Sequence, residues 1–362
     1  MKYQRIPAVG KEVDEKEVQR MADETQVAGI NIGDAAIAAR TEESLQRTED
    51  MLYEGLKRGH DLPTVTASYL AQAGGKRFRP LTVFLAAQVV LAQNNPELLA
   101  EPLHENVIKA ATVVEMVHLA SLYHDDVMDE AEQRRGAESA NSRWDNSVAI
   151  LAGDYLFACA SMFMADLGAE AVRITSQTFL ELVNGQMEET IHAGDRGSVE
   201  TYLSVIDGKT ASLIATAGLF GAREAGADQT QQDAMHDAAR AIGMAFQIVD
   251  DMIDIASDSD QSGKTPGTDL REGVFTLPVL YALEQEDEVG ERLREILTGP
   301  VEDEALVEEA LALLRNSEGM RRAREVVHNY RDMALEAISV FVESPARAAF
   351  ESLIEFTVAR AG

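Results

Sequence analysis

The sequence predicts an all-α fold on three observations. Apolar residues recur at helical spacing along nearly the whole chain, and no run alternates apolar and polar residues in the manner of a half-buried strand. The same acidic pattern closes two apolar stretches, first as His124-Asp125-Asp126-Val127-Met128-Asp129 and again as Asp250-Asp251-Met252-Ile253-Asp254. With 362 residues, 46% of them hydrophobic, the chain can bury a large core as one sizeable domain or two.

Taken in order, residues 1–40 are polar, acidic and glycine-spotted, which suggests a mobile or loosely docked arm ahead of a folded domain at 41–362. Helical periodicity covers 41–58, 64–73 and 80–93. Ahead of the third helix, Gly74-Gly75-Lys76-Arg77-Phe78-Arg79-Pro80 sets two flexible glycines before three cations, a backbone able to wrap an anion. A solvated basic turn is the plain alternative. One long helix is expected over 97–130, because Val107, Val114, Val117, Ala120 and Ser121 keep a helical period that runs into Asp125. Helices follow at 146–168, 170–192, 198–206, 209–224 and 229–256. Ser, Asp, Gly and Pro make 257–268 a loop, and amphipathic charged helices resume from about 273.

Composition removes several function classes. A formal charge of -30 argues against nucleic acid as a partner, since binding it needs a basic face to neutralise phosphates. The single cysteine, Cys159, sits in an apolar stretch and reads as a packed small hydrophobe. The N-terminus lacks a signal-peptide apolar core, and Gln88 or Asp154 interrupts the longest apolar stretches, so a cytoplasmic, non-spanning protein is expected. An EF-hand reading of Asp258, Asp260, Ser262 and Gly263 fails because Pro266 interrupts it and Asp269 stands where the bidentate glutamate belongs. Gly208-Lys209-Thr210 and Gly263-Lys264-Thr265 lack the upstream glycine and the strand of a P-loop.

The acidic motifs carry the chemistry. On a helix, Asp125 and Asp129 share a face with Asp126 beside them, and Asp250, Asp251 and Asp254 repeat the arrangement. Like charges at that spacing repel, so something cationic should offset them. Magnesium suits the donors, because it takes oxygen ligands from one or two carboxylates and completes its shell with water and phosphate oxygens. A solvated acidic helix end is the bland alternative. Against so acidic a background, a few cations near helix breaks stand out: Lys76, Arg79, Arg134, Arg135, Lys209 and Lys264. His118 lies two turns before Asp125 on the same face.

Together these segments resemble the E-polyprenyl diphosphate synthases, head-to-tail isoprenoid chain-elongating enzymes, from about residue 41 to the C-terminus. The likeness is carried by Gly74 to Pro80, Glu115 to Asp129, Arg134-Arg135-Gly136, Gly153-Asp154, Gly208-Lys209-Thr210-Ala211, Phe246 to Asp254, and Gly263-Lys264 with Gly267-Thr268-Asp269-Leu270. The resemblance implies a homodimeric bundle of long, mostly antiparallel helices around a deep apolar cavity, both claws facing each other across its mouth. It implies three magnesium ions per active site, bound through Asp125, Asp129 and Asp250, with Asp126, Asp251 and Asp254 as nearby ligands. Arg134, Lys209, Gln247 and Lys264 would hold an allylic diphosphate, farnesyl or geranylgeranyl. Lys76, Arg79, His118 and Arg135 would hold isopentenyl diphosphate. Thr210 and Gln247 would lend oxygen dipoles to the allylic cation. Peripheral contact with a membrane would accompany release of a lipid product.

In this family a bulky side chain four or five residues before the first aspartate acts as a floor to the growing product. Those positions are Ser121 and Ala120 here, with Val117 and Met116 a turn lower and Val113 below them, so none is aromatic. The expectation is a long-chain product, such as a quinone side-chain precursor, over the geranylgeranyl alternative. A class I terpene cyclase shares only the first motif, and a non-catalytic subunit of a heteromeric synthase would have lost one; neither pattern is seen.

Overall fold

The computed structural model describes residues 25–58, 61–192, 197–257 and 266–360, and these form a helical bundle with two minimal hairpins. The first hairpin pairs β1 (Gln26–Val27) with β2 (Ile30–Asn31). Helix α1 then starts at Ala35, capped by Asp34, whose carboxylate accepts from the backbone of Ala36 and Ile37 at 2.9 Å. Residues 25–40 are therefore not a loose arm. Val27, Ile30 and Ile32 are buried in the core, an apolar anchor that the polar average of the segment conceals. Residues 1–24 lie outside the described residues.

Helices α2 (Asp61–Gln72), α3 (Phe78–Asn94) and α4 (Glu105–Met128) follow. The long helix expected over 97–130 is divided: Pro96–Ala100 is a short 3₁₀ turn and α4 begins after Pro102. His104 starts it afresh, its Nδ1 accepting from the Asn106 amide at 3.2 Å. Beyond α4, β3 (Gln133–Arg134) and β4 (Ala137–Glu138) make a hairpin whose corner residues, Arg135 and Gly136, both have positive φ. That is the twist a two-residue hairpin turn needs. Only these four two-residue strands occur among the described residues, so the all-α expectation stands.

Then come α5 (Ala140–Arg143), α6 (Asn146–Leu167), α7 (Ala169–Ile191) and α8 (Val199–Ile206). The expected break before residue 209 is absent. Asp207–Ala211 is a π turn that joins α8 to α9 (Ser212–Glu224) without interrupting the helix. Such a widened turn lifts its side chains off the regular spiral, a common device at functional sites. Helix α10 (Gln229–Ala256) carries the second acidic motif. The remaining helices are α11 (Thr268–Glu272), α12 (Leu277–Leu283), α13 (Glu288–Ile296), α14 (Glu304–Arg315), α15 (Glu318–Ala337) and α16 (Pro345–Ala359).

The core sits where α4 packs on α6, α9 on α3 and α10, and α10 on α15. Close approach of α4 and α6 requires a glycine. A Cβ on Gly153 would stand 2.3 Å from His124 Nε2 and 3.1 Å from the Ala120 carbonyl oxygen. Two stretches, Asn146–Leu167 and Val199–Glu224, are long and apolar enough to cross a membrane by length and composition; each buries much of its surface inside the bundle. Apolar side chains left exposed on α6 and the neighbouring α7 matter below: Ile150, Leu151 and Met162 on α6, and Phe179, Leu180 and Met187 on α7.

Candidate active site

The two acidic helix ends are brought to one cleft of about 630 Å³, bordered by Asp129 from α4, Asp251 from α10, and Lys209 and Thr210 from the π turn. Gly185 lets α7 touch that turn, since a Cβ there would lie 2.6 Å from the Lys209 amide nitrogen. The Lys209 amine meets Glu189 of α7 at 2.5 Å. Burial works against its charge, yet Glu189, Asp125 and Asp129 outweigh burial and hold its pKa above the ordinary value. One cation thus already serves three carboxylates.

Within each motif the second aspartate has been withdrawn into the protein. Asp126 is wholly buried, with Oδ1 accepting from Arg134 Nε at 2.6 Å and Oδ2 without a hydrogen-bond partner among the described residues. Asp251 is buried too, and both its oxygens are occupied: Tyr202 Oη donates to Oδ2 at 2.5 Å and Gln247 Nε2 to Oδ1 at 2.8 Å. Burial raises both carboxyls above the usual range, Arg134 opposing it at Asp126 and the two hydrogen bonds opposing it at Asp251. The Tyr202 phenol, buried beside Asp251, is pushed well above its usual value and stays a donor.

The first and last aspartates of each motif are less buried. Asp125 is pushed up to about 6, chiefly by burial, with Lys209 pulling it back and Asp129 pushing the same way. Asp129 is exposed at the C-terminal end of α4. Asp250 accepts from Arg360, at the end of α16, at 3.1 Å. Asp254 accepts from the backbone amides of Thr268 and Asp269 at 3.2 and 3.3 Å. Two carboxylates outside the expected ligand set complete the rim: Asp269, known from the sequence as part of a family-like segment, and Glu272, which the sequence reading missed. Burial and the charges of Asp251 and Asp254 raise Asp269, while burial, Asp129 and Asp254 raise Glu272.

This donor set fits a hard divalent cation. All the donors are oxygens, and carboxyls crowd together, Asp125, Asp251, Asp269 and Glu272 being raised chiefly by burial with neighbouring carboxylates adding to it, which is what a site awaiting positive charge shows. Among the described residues no three His, Cys, Asp or Glu side chains converge into a cage of their own. That matches an ion held by one or two carboxylates and completed by water and phosphate oxygens.

A second, cationic cluster lies behind the first motif. Gly75, with φ of 138°, carries the loop between α2 and α3, and Arg77, itself at positive φ, pins that loop. The Arg77 guanidinium bonds Glu49, Glu115 at 3.1 Å and the Ala71 carbonyl at 2.8 Å, so Arg77 is spent on structure. Arg79 is not. Its Nε is buried without a partner among the described residues, and burial, reinforced by Arg135, lowers its pKa to about 10. Arg135 reaches the carbonyls of Gly74 and, at 3.1 Å, Leu70. Burial and the surrounding Arg79, Arg135, Arg77 and Arg134 keep His118 neutral, far below its ordinary value. Lys76 is exposed over the Phe356 ring of α16, 5.5 Å from its centre. The structure thus brings Arg79, His118 and Arg135 together, leaves Lys76 on the Phe356 ring, and bonds Arg134 to Asp126 of the first acidic motif. Lys264 lies outside the described residues, as do Asp258, Asp260, Ser262 and Gly263.

The polar cleft opens into an apolar one of about 540 Å³, the two sharing Met128, Gln186 and Thr190. Ser121, Phe157, Phe179, Leu182 and Val183 line it. Of the residues expected to floor a hydrocarbon cavity, only Ser121 borders it. Ala120, Val117 and Met116 are buried in the core. At 100° per residue, Ala120 and Met116 turn away from Ser121 toward the neighbouring helices, and Met116 Cε lies 3.1 Å from where a Cβ of Gly55 would stand. Val117 faces Ser121's way but is already closed over. The far wall comes from α6 and α7, where Phe157 and Phe179 meet edge to face at 4.6 Å between ring centres.

A family model described as Polyprenyl synthetase matches residues 62–314. The nonaprenyl diphosphate synthase of Mycobacterium tuberculosis is 48% identical over 339 residues, spanning 93% of this chain and 98% of its own. Among solved structures, a geranylgeranyl pyrophosphate synthase from Corynebacterium glutamicum, complexed with calcium and isoprenyl diphosphate, superposes with a TM-score of 0.80 at 48% identity, covering 91% of this chain and 99% of that one. A decaprenyl diphosphate synthase from Rhodobacter capsulatus gives 0.80 at 31% identity, over 90% and 98% of the two chains. With two acidic helix ends across a polar cleft, a cationic cluster behind and an apolar cleft below, this chain belongs to the polyprenyl synthetase family and is a prenyltransferase.

Proposed function

We propose that this enzyme adds isopentenyl diphosphate repeatedly to a farnesyl or geranylgeranyl diphosphate primer and makes a long all-trans polyprenyl diphosphate. The carrying observation is the partition of the site. One polar cleft has carboxylates and Lys209 and is continuous with an apolar cleft, while a separate cluster gathers Arg79, Arg135 and neutral His118, with Glu115 nearby paired to Arg77. Two diphosphates of different tails would sort themselves accordingly.

Asp125, Asp129, Asp250 and Asp254 would hold magnesium, three ions by family expectation, and the metal when bound supplies the positive charge that stabilises a departing diphosphate. Lys209 and Arg134 add fixed positive charge at that cleft, and Lys264 joins them by resemblance alone. Arg79 and Arg135, with neutral His118, hold the second diphosphate so that its double bond faces the allylic carbon. The allylic C–O bond breaks with its electron pair leaving on the diphosphate. The double bond of isopentenyl diphosphate then forms the new C–C bond, and a proton is lost to the released diphosphate. Catalysis is by preorganised charge, and no side chain has to carry a proton.

Product length is set in the apolar cleft. Small Ser121 leaves the entrance open, and Phe157 with Phe179 narrows the far end. The exposed apolar faces of α6 and α7 continue outward from that cleft, and a second copy of the chain covering them would make the family's homodimer and roof the product. The location we propose is the cytoplasm, with membrane contact during product release. The test is the product distribution from labelled isopentenyl diphosphate, magnesium and a farnesyl primer. Long products are expected, Ser121→Phe should shorten them, and Phe179→Ala should lengthen them. A wild type that stops at four isoprene units would return the enzyme to the geranylgeranyl class.

A further inference from the structure

Tyr202 belongs to no acidic motif, yet it borders the polar cleft and its hydroxyl ends a chain of hydrogen bonds that crosses the site. Tyr202 Oη donates to Asp251 Oδ2 at 2.5 Å, Gln247 Nε2 donates to Asp251 Oδ1 at 2.8 Å, and Thr210 Oγ1 donates to Gln247 Oε1 at 2.9 Å. The four residues come from three separate places: α8, α10 and the π turn.

The direction of the chain follows from donor and acceptor chemistry. A carboxylate accepts and does not donate, so Asp251 can hold Gln247 only by its NH2 end. The amide is then turned with its carbonyl oxygen toward Thr210, beside Lys209. Reversed, Gln247 would aim its partial positive charge at the place where an allylic cation has to form. Asp251 would be free to rotate about its own side-chain bonds if Gln247 were its only partner. Tyr202 supplies the second anchor and fixes the carboxylate plane. Each of the four lies against the cleft, so the chain is part of its wall and not of the remote core.

We propose that Tyr202 is a positioning residue for prenyl transfer: acting through Asp251, its phenol fixes the Gln247 amide with the carbonyl oxygen facing Thr210 and the reacting carbons. The proposal rests on the reading of the site given above. It makes Asp251 an orienting group whose oxygens are engaged by Tyr202 and Gln247, in contrast to its neighbour Asp250, which Arg360 bonds through Oδ1.

Steady-state kinetics on the wild type, Tyr202→Phe, Gln247→Leu and the double variant test it. Removing the Tyr202 hydrogen bond to Asp251 should lower kcat about fivefold in Tyr202→Phe. The KM for isopentenyl diphosphate should not move, because that diphosphate is held by the cationic cluster. The deciding comparison is the Gln247→Leu background, where the amide to be positioned is gone. There Tyr202→Phe should change kcat by less than about twofold, the range of simple additivity. A full fivefold loss in that background would show Tyr202 acting by packing and overturn the proposal, as would an unchanged kcat in Tyr202→Phe alone. Should Gln247→Leu turn over too slowly for steady-state measurement, single-turnover rates in that same background decide between the same two outcomes. Melting temperatures of the four proteins separate misfolding from mispositioning. A wild type that fails to elongate a farnesyl primer defeats the reading of the site; a wild type that elongates, with additive losses, defeats only the role of Tyr202.

Discussion

The two acidic motifs share one pattern and sit in different surroundings. At the end of α4, the buried second aspartate, Asp126, is matched by a charge, Arg134, and one of its oxygens has no protein partner. On α10, Asp251 is matched by neutral donors on both oxygens. The flanking residues differ as well. Asp125 and Asp129 feel Lys209 and Arg134, whereas Asp250, Asp254, Asp269 and Glu272 crowd together with Arg360 as the cation in contact. The first motif comes partly neutralised by protein, and the second depends on what binds. The same five-residue pattern thus yields one cation-backed claw and one that accumulates negative charge until metal arrives.

The largest effect should come from the aspartates left open to ligand. Asp125→Asn and Asp250→Asn should each lower turnover by about a hundredfold or more, since each would weaken the hold on the metal whose charge stabilises the departing diphosphate. Saturating magnesium should not restore either variant. Near-normal kcat in one of them would show that its claw is not part of the metal site.

Next in size is the contrast between the buried partners, read as stability. Asp126→Asn leaves the Arg134 guanidinium without its counter-charge and should destabilise by about 2 kcal/mol, the scale of a hydrogen bond to a charged group. Asp251→Asn should lose less than about 1 kcal/mol, because the Tyr202 hydroxyl can accept from the new amide while Gln247 keeps its oxygen. Urea midpoints measure both. Equal losses would erase the difference drawn between a charged and a neutral cage.

A smaller effect is a pH dependence with a definite sign. Asp125, Asp251 and Asp269 have folded pKa values raised above the unfolded carboxylate value near 4, mainly by burial. The native state then binds more protons than the unfolded one over that window, so stability falls as pH rises. The contribution is fully present below about pH 4 and is lost through about 6 for Asp125 and higher for the other two. Metal-free protein should melt a few degrees lower at pH 8.5 than at 5.5, and magnesium with inorganic diphosphate should flatten the slope. A metal-free melting temperature that rises over this range would contradict the crowding of charge.

Much of this site was legible in the sequence, because helical periodicity fixes faces. Asp125 with Asp129 and Asp250 with Asp254 follow from spacing, and the cations stood out by their rarity beside helix breaks. What was not legible depends on contacts between segments far apart. Tyr202 and Asp251 are on different helices, and a tyrosine in an apolar run gives no hint that its hydroxyl meets a carboxylate. Glu272 and Asp269 become part of the rim only because α11 folds back onto α10. The product cavity failed for a similar reason. Reading α4 alone put Ala120 and Met116 on an open face, but α6 and α1 fill that side, and Phe157 and Phe179 come from helices the motif does not name. The buried hairpin at 26–31 was hidden by averaging, since three apolar residues suffice to dock a segment that is polar overall.

The smallest effect belongs to Arg360, and it separates the claws most sharply. Its guanidinium reaches Asp250 at 3.1 Å and lies 5.4 Å from the Phe246 ring centre, so α16 ends as a stand-in cation on the second claw. Among the described residues no cation bonds Asp125 in this way. Magnesium entering at Asp250 must displace Arg360, while at Asp125 it need not displace a bonded partner. Both side chains of the pair are partly exposed, 27% and 39%, so the contact is worth no more than about 1 kcal/mol. Arg360→Ala should therefore lower the magnesium concentration for half-maximal rate by up to about fivefold, with kcat little changed. The titration should be run at low ionic strength, where a half-exposed pair is least screened. If the variant instead needs more magnesium, or its KM for the allylic primer rises, Arg360 helps to bind diphosphate and does not compete with metal. The second claw would then be cation-backed like the first, and the contrast between them would narrow to the buried aspartates alone.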